Sequence, residues 1–146
     1  MRQFANLDEL KGAVGQVLGE GEWFTVTQAI INKFAEATGD FQYIHVDPER
    51  AKNGPFGTTV AHGYLTLSLL PTLGRSIYRV GGIATGINYG SNRIRFVEPV
   101  KVDSRIRSKV KLVSVEPHPP GERITTEITI EIEGVGSITN PVVAAD

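Results

Sequence analysis

The 146-residue sequence has no cysteine and only one tryptophan and one methionine. The absence of cysteine excludes disulfide bonds, iron–sulfur clusters, cysteine-ligated zinc and thiol chemistry. The sequence also lacks an excess of either charge, because 15 Lys and Arg against 16 Asp and Glu give a formal net charge of −1. This balance gives no electrostatic reason to expect nucleic acid or an anionic membrane as a partner.

Long apolar runs are absent as well. The longest segment without a formally charged residue, residues 53–74, contains four glycines and two prolines. Its apolar part is residues 64–73, which is shorter than the roughly 20 residues that cross a bilayer. Asp8 and Glu9 stand where a signal peptide has its apolar core. We therefore expect a cytoplasmic protein with no membrane span, and the length predicts one domain, residues 1–146.

The order of the predicted elements indicates the fold class. Thr27 is a predicted N-cap of a helix that ends at Gly39, and an apolar helix buried on all sides is predicted from Gly63 to about Tyr78, disturbed at Pro71. The second half favours strands, at residues 83–96, 104–115, 124–133 and 137–143. Helices followed by strands predict an α+β fold with an antiparallel sheet.

A basic cluster at residues 93–111 contains seven Lys and Arg and two acidic residues. Most of it is explained by a hairpin of the two long strands, with Ile106 and Ile132 on the buried face and charged pairs on a solvent-facing surface. The predicted pairs are Arg105 with Glu133, Arg107 with Glu131, and Lys111 with Glu127. Arg93 and Arg95 have no partner in this hairpin, so they are candidates for contact with an anionic ligand.

Asp40 and His45 are the candidate pair for catalysis. A continuous helix would separate two residues five positions apart by about 140°. A helix that ends at Gly39 lets both side chains turn inward instead. A carboxylate and an imidazole together can hold one water and move a proton to or from it. The alternative is that Asp40 only caps a loop and His45 is an ordinary buried side chain.

Gly63 is the third candidate, because it follows His62 at the start of the predicted apolar helix. A helix N-terminus has unpaired N–H groups, and a glycine allows a ligand to approach the backbone, as an oxyanion hole requires. The alternative is an ordinary steric or turn glycine. Of the three histidines, His118 lies in a proline-rich turn, so no three-histidine metal site is predicted and no metal is expected.

Several short segments together carry a resemblance to a known family. They are Phe34, Thr38-Gly39-Asp40, Ile44-His45, Ala51, Pro55-Phe56-Gly57 and Ala61-His62-Gly63. These segments resemble the MaoC-like hot-dog enoyl-CoA hydratases, over about residues 23–143. The resemblance implies a curved antiparallel sheet wrapped around a long central helix. It also implies that Asp40 and His45 form the catalytic pair and that Gly63 is the oxyanion donor.

The resemblance further implies the reaction, which is (R)-specific hydration of trans-2-enoyl-CoA in fatty acid metabolism. Coenzyme A would enter as part of the substrate, no separate cofactor would be needed, and the protein would be a homodimer. The family commonly has Asn-Pro where this sequence has Gln42-Tyr43. The alternatives are a hot-dog acyl-CoA thioesterase and a non-catalytic acyl-CoA-binding accessory subunit.

Overall fold

The computed structural model describes residues 1–135 and the backbone of residues 142–145. The helices are α1 (Leu7–Lys11), α2 (Gln28–Thr38), α3 (Tyr43–Val46), α4 (Pro48–Ala51), α5 (Gly63–Ser68) and α6 (Leu70–Gly74). The strands are β1 (Arg2–Phe4), β2 (Val17–Glu20), β3 (Phe24–Thr25), β4 (Tyr78–Val80), β5 (Gly90–Arg93), β6 (Arg105–His118), β7 (Gly121–Ile132) and β8 (Val142–Ala145). None of these helices is long and apolar enough to cross a membrane.

Within the described residues, the main sheet has six strands and is antiparallel. Its order is β2-β6-β7-β8-β5, and β3 also pairs with β6. A second, two-stranded sheet pairs β1 with β4 in parallel. The mixture of helices with an antiparallel sheet confirms the predicted α+β class.

The long hairpin of β6 and β7 has the predicted register. Ile106 aligns with Ile132, and both are buried. Arg105 pairs with Glu133 at 2.9 Å. Lys111 aligns with Glu127, as predicted.

The environment of Glu131 differs from the prediction. Glu131 pairs with Arg107 at 2.7 Å as expected, but it is only 8% exposed and does not face solvent. Arg107 covers it, because its guanidinium also binds Glu20 at 2.8 Å and lies 4.7 Å from the Trp23 ring.

The predicted long central helix is two short helices, α5 and α6, separated at Leu69. Pro71 lies at the start of α6 and has no N–H to continue the hydrogen bonds of α5. The expectation of burial on all sides is also wrong, since Tyr64 is 68% exposed.

Two predicted strands have different bounds. In place of residues 83–96, only Gly90–Arg93 forms a strand. This segment is almost wholly exposed, so it buries little of the apolar surface that stabilises a strand. The prediction for residues 137–143 lies mostly outside the described residues, and the described strand there is β8.

The core consists of two groups of buried residues. One joins α2, α5 and α6 to the hairpin and lies beside the candidate site: Val26, Ile31, Ala61, Leu65, Leu73, Val100, Ile106, Ile130 and Ile132. The other packs α1, β1 and β2 on the far part of β6: Phe4, Leu10, Ala13, Leu18, Ile77, Val110 and Leu112. The first group fixes the two segments that carry the candidate residues, one following α2 and one beginning α5.

Candidate active site

Asp40 lies in the turn after α2, where the sequence places it. Thr27 caps the helix as predicted, with its hydroxyl accepting a hydrogen bond from Ile30 N–H at 3.4 Å. Gly39 ends the helix with a φ of 77°, in the left-handed region that favours glycine. This reversal leaves Asp40 exposed, and its Oδ1 accepts a hydrogen bond from Gln42 N–H at 3.3 Å.

His45 is buried and its polar groups are fixed by neighbours. It lies on α3, a one-turn helix that the sequence pattern did not predict. Its N–H donates to Gln42 O at 2.9 Å, and its carbonyl oxygen accepts from Gln28 Nε2 at 2.7 Å. Its Nδ1 lies 2.6 Å from the carbonyl oxygen of Val60. A carbonyl oxygen only accepts, so Nδ1 carries the hydrogen and Nε2 has the free lone pair.

Asp40 and His45 come together as predicted. One carboxylate oxygen of Asp40 and one ring nitrogen each of His45 and His62 lie within 4.8 Å of one another. Each hydrogen bond to a water is about 2.8 Å long, so one water molecule can reach both a carboxylate and an imidazole at this spacing. The pair therefore has the geometry for general acid–base chemistry on one water.

The environment of His45 favours its neutral form. Burial lowers the pKa of His45 below its ordinary value of 6.5, and the neighbouring His62 lowers it further. The hydrogen bond to Val60 and the charge of Asp40 raise this pKa and oppose the shift without cancelling it. The imidazole is therefore neutral at pH 7 and can accept a proton at Nε2.

His62 is a residue of the site that the sequence analysis did not assign. It is 3% exposed, and its ring stacks on that of His45 with 3.8 Å between the centroids. Its Nε2 lies 3.0 Å from the main-chain oxygen of Asp40. The only sequence signal was its position directly before Gly63, which gave no indication of this contact across 22 residues.

Gly63 is the first residue of α5. In the described part of the chain its N–H has no acceptor, as expected for the first turn of a helix. A Cβ atom at this position would lie 2.9 Å from the ring of Phe96. Packing against Phe96 therefore favours glycine here, as the steric alternative expects, and the role of Gly63 in binding an oxyanion stays a prediction.

A mainly apolar cavity of about 310 Å³ lies at these residues. Its lining consists of Ile44, His45, Phe56, Val60, Ala61, Gly63, Thr66, Phe96, Glu98, Pro99, Val100, Ile130 and Ile132. His45 and Gly63 are thus on the wall of a space that suits an apolar chain.

In the described part of the chain, Asp40, His45 and His62 form a group whose spacing could admit a metal ion. His45 and His62 each direct one ring nitrogen to a main-chain oxygen, which leaves one nitrogen of each ring for a water, a substrate or an ion. That the site uses no metal stays a prediction.

Arg93 and Arg95 lie outside the cavity wall, and Arg95 directly precedes the lining residue Phe96. Arg93 ends β5 and Arg95 follows two positions later, and both are exposed. Neither is among the residues that line the cavity. Their contact with an anionic ligand stays a prediction.

The Gln42-Tyr43 pair, which replaces the family's usual Asn-Pro, still begins a helix. Gln42 is the N-cap of α3 and Tyr43 its first residue, the position where proline is favoured. Arg50 lies 4.1 Å from the centre of the Tyr43 ring. A cation–π contact with α4 thus fixes Tyr43 in place of the backbone restriction of a proline.

Residues 9–135 match the family described as MaoC like domain. The chain belongs to this family. The 3-hydroxyacyl-thioester dehydratase Z of Mycobacterium tuberculosis (strain H37Rv) is 50% identical over 135 residues, covering 92% of this chain and 89% of that protein. Nodulation protein N of Rhizobium leguminosarum is 45% identical over 131 residues, covering 88% and 81%. The predicted MaoC-like resemblance is confirmed, and the chain is an enzyme of the hydratase and dehydratase class.

Solved structures of MaoC-like proteins have the same fold. The unliganded R-hydratase of Pseudomonas aeruginosa superposes with a TM-score of 0.71 at 21% identity, covering 90% of this chain and 79% of that one. The (R)-hydratase of A. caviae gives 0.68 at 24% identity, covering 90% and 91%. At identities below 25% this similarity shows the fold alone. It confirms the predicted hot-dog fold, except that the predicted single central helix is divided into α5 and α6.

Proposed function

We propose that this MaoC-like protein catalyses the reversible (R)-specific hydration of trans-2-enoyl-CoA to (R)-3-hydroxyacyl-CoA. The observation that carries the proposal is the single free nitrogen of His45. Every other polar group of that residue has a protein partner, and one ring nitrogen of this neutral imidazole lies within 4.8 Å of a carboxylate oxygen of Asp40.

In the proposed reaction, Asp40 and His45 hold one water between them. His45 Nε2 accepts a proton as the water oxygen bonds to the β-carbon of the enoyl thioester. The electron pair of the double bond moves to the α-carbon and the carbonyl oxygen, where the Gly63 N–H stabilises the negative charge. The His45–Asp40 pair then gives one proton to the α-carbon and returns to its starting protonation state, so the atoms of one water are added and no electrons are lost.

The cavity and the surface arginines account for substrate binding in this proposal. The apolar wall, with residues such as Val60 and Ile130, receives the acyl chain. Arg93 and Arg95, which are exposed, contact the anionic part of coenzyme A. The protein acts in the cytoplasm as a homodimer, which would cover exposed strand edges. The name of the 50% identical dehydratase, which refers to a 3-hydroxyacyl thioester, supports this substrate class.

A turnover assay on crotonyl-CoA and longer enoyl-CoA thioesters tests the proposal. We expect loss of the conjugated enoyl-thioester absorbance with no release of free thiol. The reverse reaction should consume (R)-3-hydroxyacyl-CoA and leave the (S) isomer. Thiol release would indicate a thioesterase, and ligand binding without turnover would indicate an accessory subunit. Either result would contradict the proposal.

A further inference from the structure

His62 lies between the two segments that form the candidate site. It precedes α5, whose first residue is Gly63, and its ring is packed between two others. His45 stacks on it at 3.8 Å, and the Phe34 ring of α2 lies 5.0 Å away at an angle of 51°. The side chain is therefore held in one orientation by its packing.

One polar atom of this side chain reaches the turn that carries Asp40. His62 Nε2 lies 3.0 Å from the Asp40 main-chain oxygen, so this nitrogen donates a hydrogen bond to it. The other nitrogen, Nδ1, is buried and has no hydrogen-bond partner in the described part of the chain. The bond to the Asp40 main-chain oxygen is thus the hydrogen bond of the His62 side chain in the described part of the chain. An apolar residue at this position could not make it.

The contact matters because little else fixes the Asp40 carboxylate. Asp40 is exposed, and its side chain accepts one long hydrogen bond, at 3.3 Å, from Gln42 N–H. His45, in contrast, has fixed partners at its N–H, its carbonyl oxygen and Nδ1. An anchor on the main chain of Asp40 restricts where its carboxylate can lie relative to His45.

We infer that His62 is a positioning residue, which holds the Asp40 peptide by its Nε2–H and the His45 ring by stacking, so that both act on one water. The inference rests on the proposed function. Displacement of a catalytic group by about 1 Å can cost on the order of 10²-fold in rate. Loss of the anchor should therefore lower kcat and leave KM unchanged, since the cavity that binds the acyl chain is intact.

Two substitutions of equal polarity separate the hydrogen bond from packing. In His62→Gln the side-chain amide can reach the position of Nε2, whereas in His62→Asn it reaches only the position of Nδ1. We expect His62→Asn to lower kcat by roughly 10- to 100-fold with KM unchanged, and His62→Gln, which restores the hydrogen bond but not the ring stacking, to recover part of this loss. His118→Gln is the matched control, because His118 lies outside the residues that line the cavity.

The amide ¹⁵N resonance of Phe41 gives a readout that needs no activity, because this amide shares a peptide with the Asp40 carbonyl. It should shift in His62→Asn and stay near its parent position in His62→Gln. Equal losses of kcat in the two variants, or an unshifted Phe41 resonance in His62→Asn, would overturn the inference. An inactive parent enzyme would instead contradict the proposed function, while the resonance would still report on the anchor.

Discussion

The Nδ1 atom of His45 lies 2.6 Å from the carbonyl oxygen of Val60, and this contact makes Nε2 the free nitrogen of the ring. In a neutral imidazole with hydrogen on Nδ1, Nε2 can only accept. The main chain just before α5 thus selects the tautomer that a general base requires. Val60 also donates its N–H to Ile44 O at 2.9 Å, so the segment before α5 is bound to α3 at two points.

The lowered pKa of His45 predicts how activity depends on pH. Protonation of Nε2 removes the base, so kcat/KM should fall at acid pH with an apparent pKa below the ordinary value of 6.5. An NMR titration of the His45 ring should show the same low pKa. An acid limb centred above 6.5 would contradict this assignment.

The same shift predicts a change in stability with pH. Between the folded pKa of His45 and 6.5, the unfolded chain binds more protons at this residue than the folded one. The free energy of unfolding should therefore decrease as the pH falls through that window. Denaturant unfolding of the parent and of His45→Gln checks this, since the variant should lose this part of the slope.

Gly63 offers a test of the proposed oxyanion donor. Proline is tolerated at the first position of a helix and removes the N–H, while alanine retains it. Because a Cβ atom here would meet Phe96 at 2.9 Å, both changes are made in a Phe96→Ala background. Gly63→Pro should lose on the order of 10²- to 10³-fold in kcat, and Gly63→Ala should stay near the background. Equal activity of the two variants would exclude Gly63 as the donor.

The Arg107–Glu131 and Arg105–Glu133 ion pairs should contribute unequally to the free energy of unfolding, because only the first is shielded from solvent. Glu131 has an 11% exposed side chain and binds Arg107 at 2.7 Å, whereas the Arg105–Glu133 pair is almost half exposed. Glu131→Gln should cost about 1–3 kcal/mol of unfolding free energy and Glu133→Gln about 0–1 kcal/mol. Urea unfolding measures both. Equal losses of unfolding free energy in the two variants would contradict the prediction that shielding by Arg107 strengthens the interaction of Glu131.

The hairpin could be predicted from the sequence because its signals are local. Alternation of apolar and charged residues at period two decides which face each side chain occupies, as for Ile106 and Arg107. Burial of Glu131 could not be predicted, because it depends on Glu20 and Trp23 near the start of the chain. Pro71 indicated where the apolar helix is disturbed, but the hydrophobic pattern did not show that the helix divides into α5 and α6.

In the site, sequence patterns indicated the chemistry but not the contacts that support it. Asp40 and His45 could be paired because Gly39 marks the end of a helix. Helix α3 was missed because its four residues are too short to show a helical period. His62 was missed because its role depends on a tertiary hydrogen bond to a main-chain atom, which leaves no signal in residue types.

The central claim is that Asp40 and His45 act on one water, and a double-mutant cycle on enoyl-CoA hydration tests it most directly. Asp40→Asn and His45→Gln should each lower kcat by on the order of 10²- to 10⁴-fold, with folding and acyl-CoA binding retained. The double mutant should be little worse than the worse single mutant, because groups that act as a unit are not additive. Full activity in either single mutant, or strictly multiplicative losses in the double mutant, would contradict the claim.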